Sequence, residues 1–295
     1  MKSLKILIVS LVLVSFLTAT AQKERNTVYR VGVGELIYTP PSEGSKTASV
    51  LKDVADVLLS GQTTKQQPQY AEAVRASLMN GLSKVILFRP SDGIVSQTDL
   101  ADGIPSFFID GTIANISIVS KSETKKDGKG NKYTDTSYRS NVSVTVNLKN
   151  PTDGSVVDSR TFTISDSDLY WMTSGEKAMT NALERLTSKV ADYYNRMFPL
   201  YASIIEKGES KKNKQKDVYI DLGDGDGAYK GQQFDVLTVK TIAGKEARTV
   251  IGRLKIEEVE GDEISLCKVT KGSDKIKAAL DEGQTLLVVS RYAIK

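Results

Sequence analysis

Hydrophobic and polar positions alternate along some stretches of the chain and recur at helical spacing along others. Apolar and polar side chains alternate between residues 27 and 38, which is typical of a β-strand. Helical spacing follows over residues 50–58 and again from Pro68, where apolar residues recur on one face. A short strand is predicted over residues 85–89, ending at Pro90. This part of the chain therefore predicts a strand, two helices and a second strand.

The middle of the chain predicts a three-stranded antiparallel meander. The strands are predicted at residues 107–119, 142–148 and 156–164. Polar turns rich in glycine and asparagine, at 127–131 and 150–154, join them. The first hairpin, over residues 106–149, is long.

A long amphipathic helix is predicted to follow the meander. Thr173 and Glu176 have the spacing of a capping box, in which each side chain satisfies a backbone amide at the other position. One stripe of this helix carries Met179, Leu183, Leu186, Val190, Tyr194 and Met197. The order strand, two helices, four strands and helix predicts one α/β sandwich over residues 22–205.

The pattern changes after residue 205. Residues 206–216 are hydrophilic and predict an exposed linker or loop. Short strands separated by glycine turns follow and predict a small β-barrel or β-sandwich over residues 217–295. These strands are predicted at residues 218–221, 233–239, 250–258, 263–269 and 286–291. The predicted fold class is therefore α+β, an α/β sandwich followed by a small C-terminal β domain.

The first 21 residues have the pattern of a secretory signal peptide. A basic start is followed by an apolar run at 6–17 and by small residues at 19 and 21, before Gln22. The apolar run is shorter than the roughly 20 residues of a membrane-spanning helix. No cysteine follows it as a site for lipid attachment. We therefore expect an exported protein, periplasmic or associated with the outer membrane, that is not a lipoprotein.

Composition removes several classes of chemistry. The 295 residues include no histidine, which excludes Ser-His-Asp hydrolysis and His-ligated metal sites, and one cysteine, which excludes an internal disulfide. The net charge is +4, and falls to about +2 without Lys2 and Lys5 of the signal segment. Because nucleic-acid binders carry a strong basic excess, we expect no nucleic-acid partner. We also expect no enzyme activity, cofactor or small-molecule substrate.

Three motifs have a chemical and a structural interpretation. Asp221, Asp224 and Asp226 form a weak calcium candidate, because the EF-hand loop would need a glutamate at its twelfth position, where Asp235 stands. A glycine-rich β-turn is the favoured interpretation of the three aspartates.

The glycines at 32 and 34 lack the third glycine of a nucleotide-binding loop and are interpreted as positions in a central strand that permit the close approach of a helix. Cys267 is expected to be a buried, inert thiol.

Two segments are candidates for partner binding. Tyr170 and Trp171 precede the long helix, and aromatic residues are favoured at protein interfaces, although such a cluster also seats a helix on its sheet. The second candidate is a lysine cluster that would meet anionic lipid headgroups or another acidic envelope polymer; a solvated loop is its alternative interpretation. Its members are Lys207, Lys211, Lys212, Lys214 and Lys216.

The order of predicted elements resembles that of the curli secretion component (CsgG) family: a strand, a helix pair, a strand ending at residues 86–89, a long hairpin and a closing helix. That fold is shared with the TolB N-terminal domain and the penicillin-binding-protein activator LpoB. The tail resembles the C-terminal β domain of the flagellar assembly protein FlgT. The motifs that carry this second resemblance lie at residues 219–223, 230–236, 251–254 and 282–284.

The resemblance implies a non-enzymatic envelope protein that assembles or scaffolds by contacts with other envelope proteins, as a homo-oligomeric ring in one arrangement. Curli-type members are lipid-anchored and form an outer-membrane secretion pore through inserted hairpins. This chain lacks the anchor cysteine, and its apolar alternation at 142–148 is shorter than the roughly 9–11 residues of a spanning strand. A subunit of an oligomeric outer-membrane secretion channel is therefore the alternative function, and a carboxylate-based hydrolase is a third, disfavoured one.

Overall fold

The computed structural model describes residues 26–39, 62–165 and 168–292. The signal segment and the helix predicted at 50–58 lie outside the described residues. The chain divides into two compact units, the first spanning Tyr29–Tyr194 and the second formed by the chain from Asn195 onward together with the residues before Tyr29. Both units mix helices and strands, which confirms the α+β class.

The first unit is a mixed β-sheet with helices. Its strands are β1 (Tyr29–Tyr38), β2 (Gln62–Gln66), β3 (Phe88–Asp92), β4 (Ser106–Lys126), β5 (Lys132–Lys149) and β6 (Val156–Ile164). Its helices are α1 (Ala71–Ser83), preceded by a 3₁₀ turn at Pro68–Tyr70, α2 (Gln97–Ala101) and α3 (Gly175–Met197).

The strand order across this sheet is β3-β1-β4-β5-β6, and β2 pairs with the far half of β4. β1 runs parallel to β3 and β4, whereas β4, β5 and β6 form the predicted antiparallel meander. β2 was not predicted, because its five residues, Gln-Thr-Thr-Lys-Gln, are all polar and give no apolar alternation. The backbone hydrogen bonds to β4 hold these five residues as a strand, which their own sequence does not predict.

The core of this unit lies between one face of the sheet and the helices. Val142, Val144, Val146 and Leu148 of β5 are buried, as the strict alternation predicts. The helices contribute further buried side chains, which are Val74, Leu78, Leu82, Met179, Leu186, Val190 and Tyr194. Each such aliphatic or methionine side chain contributes about 1.5–3 kcal/mol to the free energy of folding.

Two predicted boundaries are wrong by a few residues. The strand expected at 85–89 is β3, which begins at Phe88 and continues through Pro90 to Asp92. It tolerates the proline because it lies at the edge of the described sheet, where one side of the strand needs no backbone donor. The predicted capping box is also shifted: the Ser174 hydroxyl, not Thr173, accepts the backbone amide of Lys177, at 3.3 Å.

The glycines of β1 serve a different contact from the one predicted. A side chain at Gly32 would meet the backbone of residues 93–95, with Val95 N at 2.7 Å, so a loop, not a helix, makes the close approach. Gly34 faces the ring of Phe108. The strand continues to Tyr38, which leaves no helix N-terminus for a phosphate.

The second unit contains a closed six-stranded barrel with strand order β10-β13-β12-β11-β14-β7. Its strands are β7 (Tyr201–Lys207), β10 (Asp217–Ile220), β11 (Gln233–Ile242), β12 (Lys245–Val259), β13 (Ser265–Lys271) and β14 (Leu286–Arg291). The unit also contains helix α4 (Ser273–Asp281), which was not predicted. β7 begins at Tyr201, inside the range assigned to the first domain, so the barrel starts earlier than the sequence indicated.

The lysine-rich segment, predicted as an exposed linker or loop, contains a small hairpin. It leaves β7, forms a small hairpin of β8 (Ser210–Lys211) and β9 (Lys214–Gln215), and enters β10, which pairs with β7. It is therefore a hairpin inside the barrel unit, fixed at both ends by paired strands.

Candidate interaction surfaces

The first candidate surface is the outer part of the β4–β5 hairpin. β4 and β5 pair from Phe108–Lys149 to Lys126–Lys132, with one register shift between Ile113 and Asn115. Within the described ranges, the pairing of β2 with β4 reaches Lys121, which lies opposite Gln62. Every residue from Ser122 to Asp135 is exposed. We call residues 122–136 the arm; within the described residues it pairs only with itself.

Polar contacts inside the arm hold its two strands together. Lys125 forms an ion pair with Asp135, and the hydroxyls of Ser122 and Thr136 are 2.9 Å apart. At the turn, one carboxylate oxygen of Asp127 accepts the backbone amides of Lys129 and Asn131, both at 2.8 Å. An isolated two-stranded ribbon is marginally stable in water, so these contacts and the anchored base together keep the arm extended.

Contacts within the arm and at its base keep its acidic and basic side chains ionised. The hydrogen bond and the charge of Asp135 raise the pKa of Lys125, and the hydrogen bond to Lys121 lowers the pKa of Glu123. Hydrogen bonds from Asn131 lower the pKa of Asp127. The arm therefore presents fixed charges of both signs to solvent at neutral pH.

The predicted aromatic candidates lie at the base of the arm. Tyr138 of β5 and Met172 exchange two backbone hydrogen bonds, at 2.8 and 2.7 Å. The guanidinium of Arg139 lies 4.0 Å from the ring centre of Trp171, a cation–π contact. Tyr170, beside it, is 73% exposed. The structure thus brings Trp171 and Tyr170 next to the arm, a neighbourhood that the sequence did not indicate.

The second candidate surface is the β8–β9 hairpin. Lys211 lies directly opposite Lys214 across the two strands, and Lys212 in the turn has a φ of 54°. Gln215 is buried, and its side-chain amide donates to the carbonyls of Asp217 at 2.8 Å and of Gly208 at 3.3 Å. This residue holds the base of the hairpin.

The other two predicted lysines belong to the surroundings of the hairpin. Lys207 forms an ion pair of 2.8 Å with Asp281 of α4, and Lys277 binds the other oxygen of the same carboxylate, also at 2.8 Å. Both lysines donate hydrogen bonds that lower the pKa of Asp281. The backbone carbonyl of Lys216 accepts Val269 N at 2.8 Å.

The three aspartates of the calcium candidate have local roles. Asp221 accepts the backbone amide of Ser203, and Asp226 accepts that of Gly223 at 3.2 Å. Asp224 begins a 3₁₀ turn that ends at Asp226. In the part of the chain that the structure describes, no three acidic or cysteine side chains converge as metal ligands. Asp224 and Asp226 thus lie in a glycine-rich turn, and Asp221 lies just before it.

Cys267 lies in the interior of the barrel unit. It is fully buried, and burial raises its pKa to about 12. A thiol of this kind is protonated at neutral pH and is a poor nucleophile.

The described helices are too short or too polar to cross a bilayer.

Comparisons with known proteins yield weak structural similarities. No protein-family model matches the chain, and no curated protein matches it. Among solved structures, the PelC dodecamer from Paraburkholderia phytofirmans matches with 14% identity over 55% of this chain and 86% of PelC, at a TM-score of 0.28. A DUF330 protein from Xanthomonas campestris matches with 10% identity over 59% of this chain and 85% of its own, at a TM-score of 0.31. Similarity at this level carries no conclusion about function.

Proposed function

We propose that this chain is a non-enzymatic protein of the cell envelope that assembles with other envelope proteins through its arm. The proposal includes the export expected from the N-terminal segment and the kinship to the curli secretion component and FlgT-type proteins. The observation that carries it is the extended arm, residues 122–136, which buries no side chain from Ser122 to Asp135. Ordering these residues costs conformational entropy that no burial among the described residues offsets, and this favours a contact with a partner as their use.

The composition of the arm supports an aqueous protein partner. Ser, Thr, Lys, Asp and Glu occupy both faces of the ribbon, and Tyr133, 49% exposed, is its one large apolar side chain. A membrane-spanning strand needs a continuous apolar face, which this ribbon does not offer. Such a ribbon is suited to pair its exposed backbone with a strand of a partner protein. Its charges of both signs would then form ion pairs with that partner.

The test is a variant in which an Asn-Gly turn joins Lys121 directly to Ser137. These two residues face each other in the hairpin, and Asn-Gly is suited to a two-residue turn. We expect an unchanged melting temperature and loss of the native complex, measured by sizing of the protein extracted from the envelope. An arm-shortened protein that still elutes in the native complex would contradict the proposal.

A photo-crosslinking residue gives a second readout that does not require removal of the arm. Placed at Tyr133, it is expected to yield a discrete crosslinked species in intact cells. Tyr229 is the matched control, since it is also a tyrosine and is 52% exposed. Equal crosslinking from both positions would indicate random collision.

A further inference from the structure

The β8–β9 hairpin contains two features that work against its own folding. Lys211 and Lys214 are directly opposed, and like charges in a cross-strand pair are destabilising. Lys212 has a φ of 54°, a left-handed conformation that favours glycine or asparagine. The described residues supply no acidic partner for any of these three side chains, all of which are exposed. Local conflicts of this kind concentrate at functional positions.

The base of the hairpin is, in contrast, tightly built. Gln215 is 1% exposed and binds the carbonyls on both sides of the hairpin base. Asp217 accepts the amide of Glu209 at 2.6 Å, and a side chain at Gly208 would collide with the same carboxylate. The three lysines are therefore held in one place by a rigid support.

We propose that this hairpin docks the protein on a membrane surface that carries anionic lipid headgroups. Residues 207–216 hold five lysines and one glutamate. Asp281 of α4, the carboxylate that contacts Lys207, is already shared by Lys207 and Lys277. The hairpin tip is thus a concentrated positive charge, attractive to a negative surface.

The residue types favour a lipid surface over a single phosphate ligand or a polysaccharide. The segment carries no arginine, the side chain suited to bidentate recognition of one phosphate. It also carries no aromatic residue on which a sugar ring would stack. Flexible lysines act as point charges, which suits attraction to a diffuse layer of headgroups. The proposal concerns the barrel unit and does not depend on the arm.

The test measures binding of the full chain to sedimented vesicles of phosphatidylcholine, with and without phosphatidylglycerol. Each lysine near an anionic surface gives about a fivefold gain in binding. The triple variant Lys211→Ser, Lys212→Asn, Lys214→Ser is therefore expected to bind the anionic vesicles about 100-fold more weakly. Wild-type protein that shows no preference for anionic vesicles would overturn the proposal.

A matched variant separates docking from net charge. Lys126→Ser, Lys129→Asn, Lys132→Ser removes the same charge from the exposed tip of the arm, and every variant keeps the same N-terminus. This control is expected to bind anionic vesicles as the wild type does. An equal loss in both triple variants would show charge attraction without a docking site. A loss of binding to soluble dextran sulfate, with vesicle binding unchanged, would assign the hairpin to a polymer instead.

The single variant Lys212→Asn separates a functional from a structural role. Asparagine accepts a φ of 54° more readily, so thermal stability is expected to stay the same or rise. Vesicle binding is expected to fall about fivefold. A variant that is as stable and binds as tightly would show that Lys212 makes no contact with the membrane.

Discussion

Gly111 is a position where one missing side chain decides whether two strands can pair. It lies on β4, and a Cβ atom there would come within 2.0 Å of the carbonyl oxygen of Thr145 on β5. The sequence alone gives this glycine no special meaning, because it stands in an otherwise ordinary β-branched run. Only the pairing of β4 with β5 shows why a larger residue is excluded.

Gly111→Ala is therefore expected to lower the free energy of unfolding by about 3 kcal/mol, because the added methyl group forces the paired backbones apart. The measurement is urea denaturation. Gly128→Ala is the control, since nothing lies within 4 Å of that turn position, and a change below about 0.5 kcal/mol is expected. Equal stability of both variants would show that β4 and β5 are not paired as described at this point.

Helix α3 shows how an element is fixed by its first residues. Thr173 and Ser174 are both suitable N-caps, and the sequence favoured Thr173 because Glu176 follows it by three positions. In the structure the Ser174 hydroxyl accepts the amide of Lys177 instead. The Thr173 hydroxyl accepts a hydrogen bond of 3.3 Å from the ammonium of Lys177, and this contact is exposed to solvent.

Ser174→Ala is expected to lower the free energy of unfolding by about 1 kcal/mol, because an amide at the helix start loses its acceptor. Thr173→Ala is expected to cost less than half of that amount. Thermal denaturation of both variants is the measurement. The reverse order would place the helix start one residue earlier.

The contact between β7 and α4 makes a prediction about pH. Lys207 and Lys277 lower the pKa of Asp281, so this carboxylate stays ionised at pH values below its usual titration range and loses its charge only as the pH falls through the lowered pKa. The chain has no histidine. Binding to phosphatidylglycerol vesicles is therefore expected to stay constant between about pH 5.5 and 8.

Asp281→Asn is expected to increase that binding about fivefold, since it leaves both lysines uncompensated. The same vesicle sedimentation assay measures it. Weaker binding of Asp281→Asn would show that Asp281 contributes by positioning the lysines and not by cancelling their charge.

At the scale of the whole molecule, the two candidate surfaces predict different kinds of attachment. The arm, residues 122–136, offers backbone pairing to a protein, whereas the β8–β9 hairpin offers charge to a membrane surface. Neither places apolar side chains in a bilayer. A protein held in this way is attached peripherally and can be released by salt. The Debye length, over which charges on the protein and the membrane attract each other, falls from about 10 Å at 0.1 M salt to about 3 Å at 1 M.

Fractionation of native envelopes tests this prediction. We expect 1 M salt to release most of the protein and a carbonate wash to release the remainder, recovered as a soluble oligomer. A carbonate-resistant species of high mass in the outer membrane would instead favour the alternative function as a secretion-channel subunit.

The sequence by itself determined the class of fold and most of its elements. Strict alternation at residues 142–148 predicted the buried face of β5, and the polar turn at 127–131 predicted the tip of the long hairpin. These features are local, since a period of two or 3.6 residues already states which side of a strand or helix is buried. The absence of histidine is also evident from the sequence alone, and it limits the catalytic chemistry that the chain can perform.

Only the tertiary structure decided where these elements meet. It added the polar strand β2, placed β7 in the barrel and showed that the predicted linker or loop contains the β8–β9 hairpin. It also brought Trp171 under Arg139, 32 positions earlier in the chain, and Asp281 between Lys207 and Lys277. Such contacts join residues far apart along the chain, and their energy exists only after the backbone pairing between strands has brought those residues together. No local pattern encodes such distant contacts. The sequence therefore identified the lysine cluster, Tyr170 and Trp171 as candidates, and only the fold showed which residues surround them.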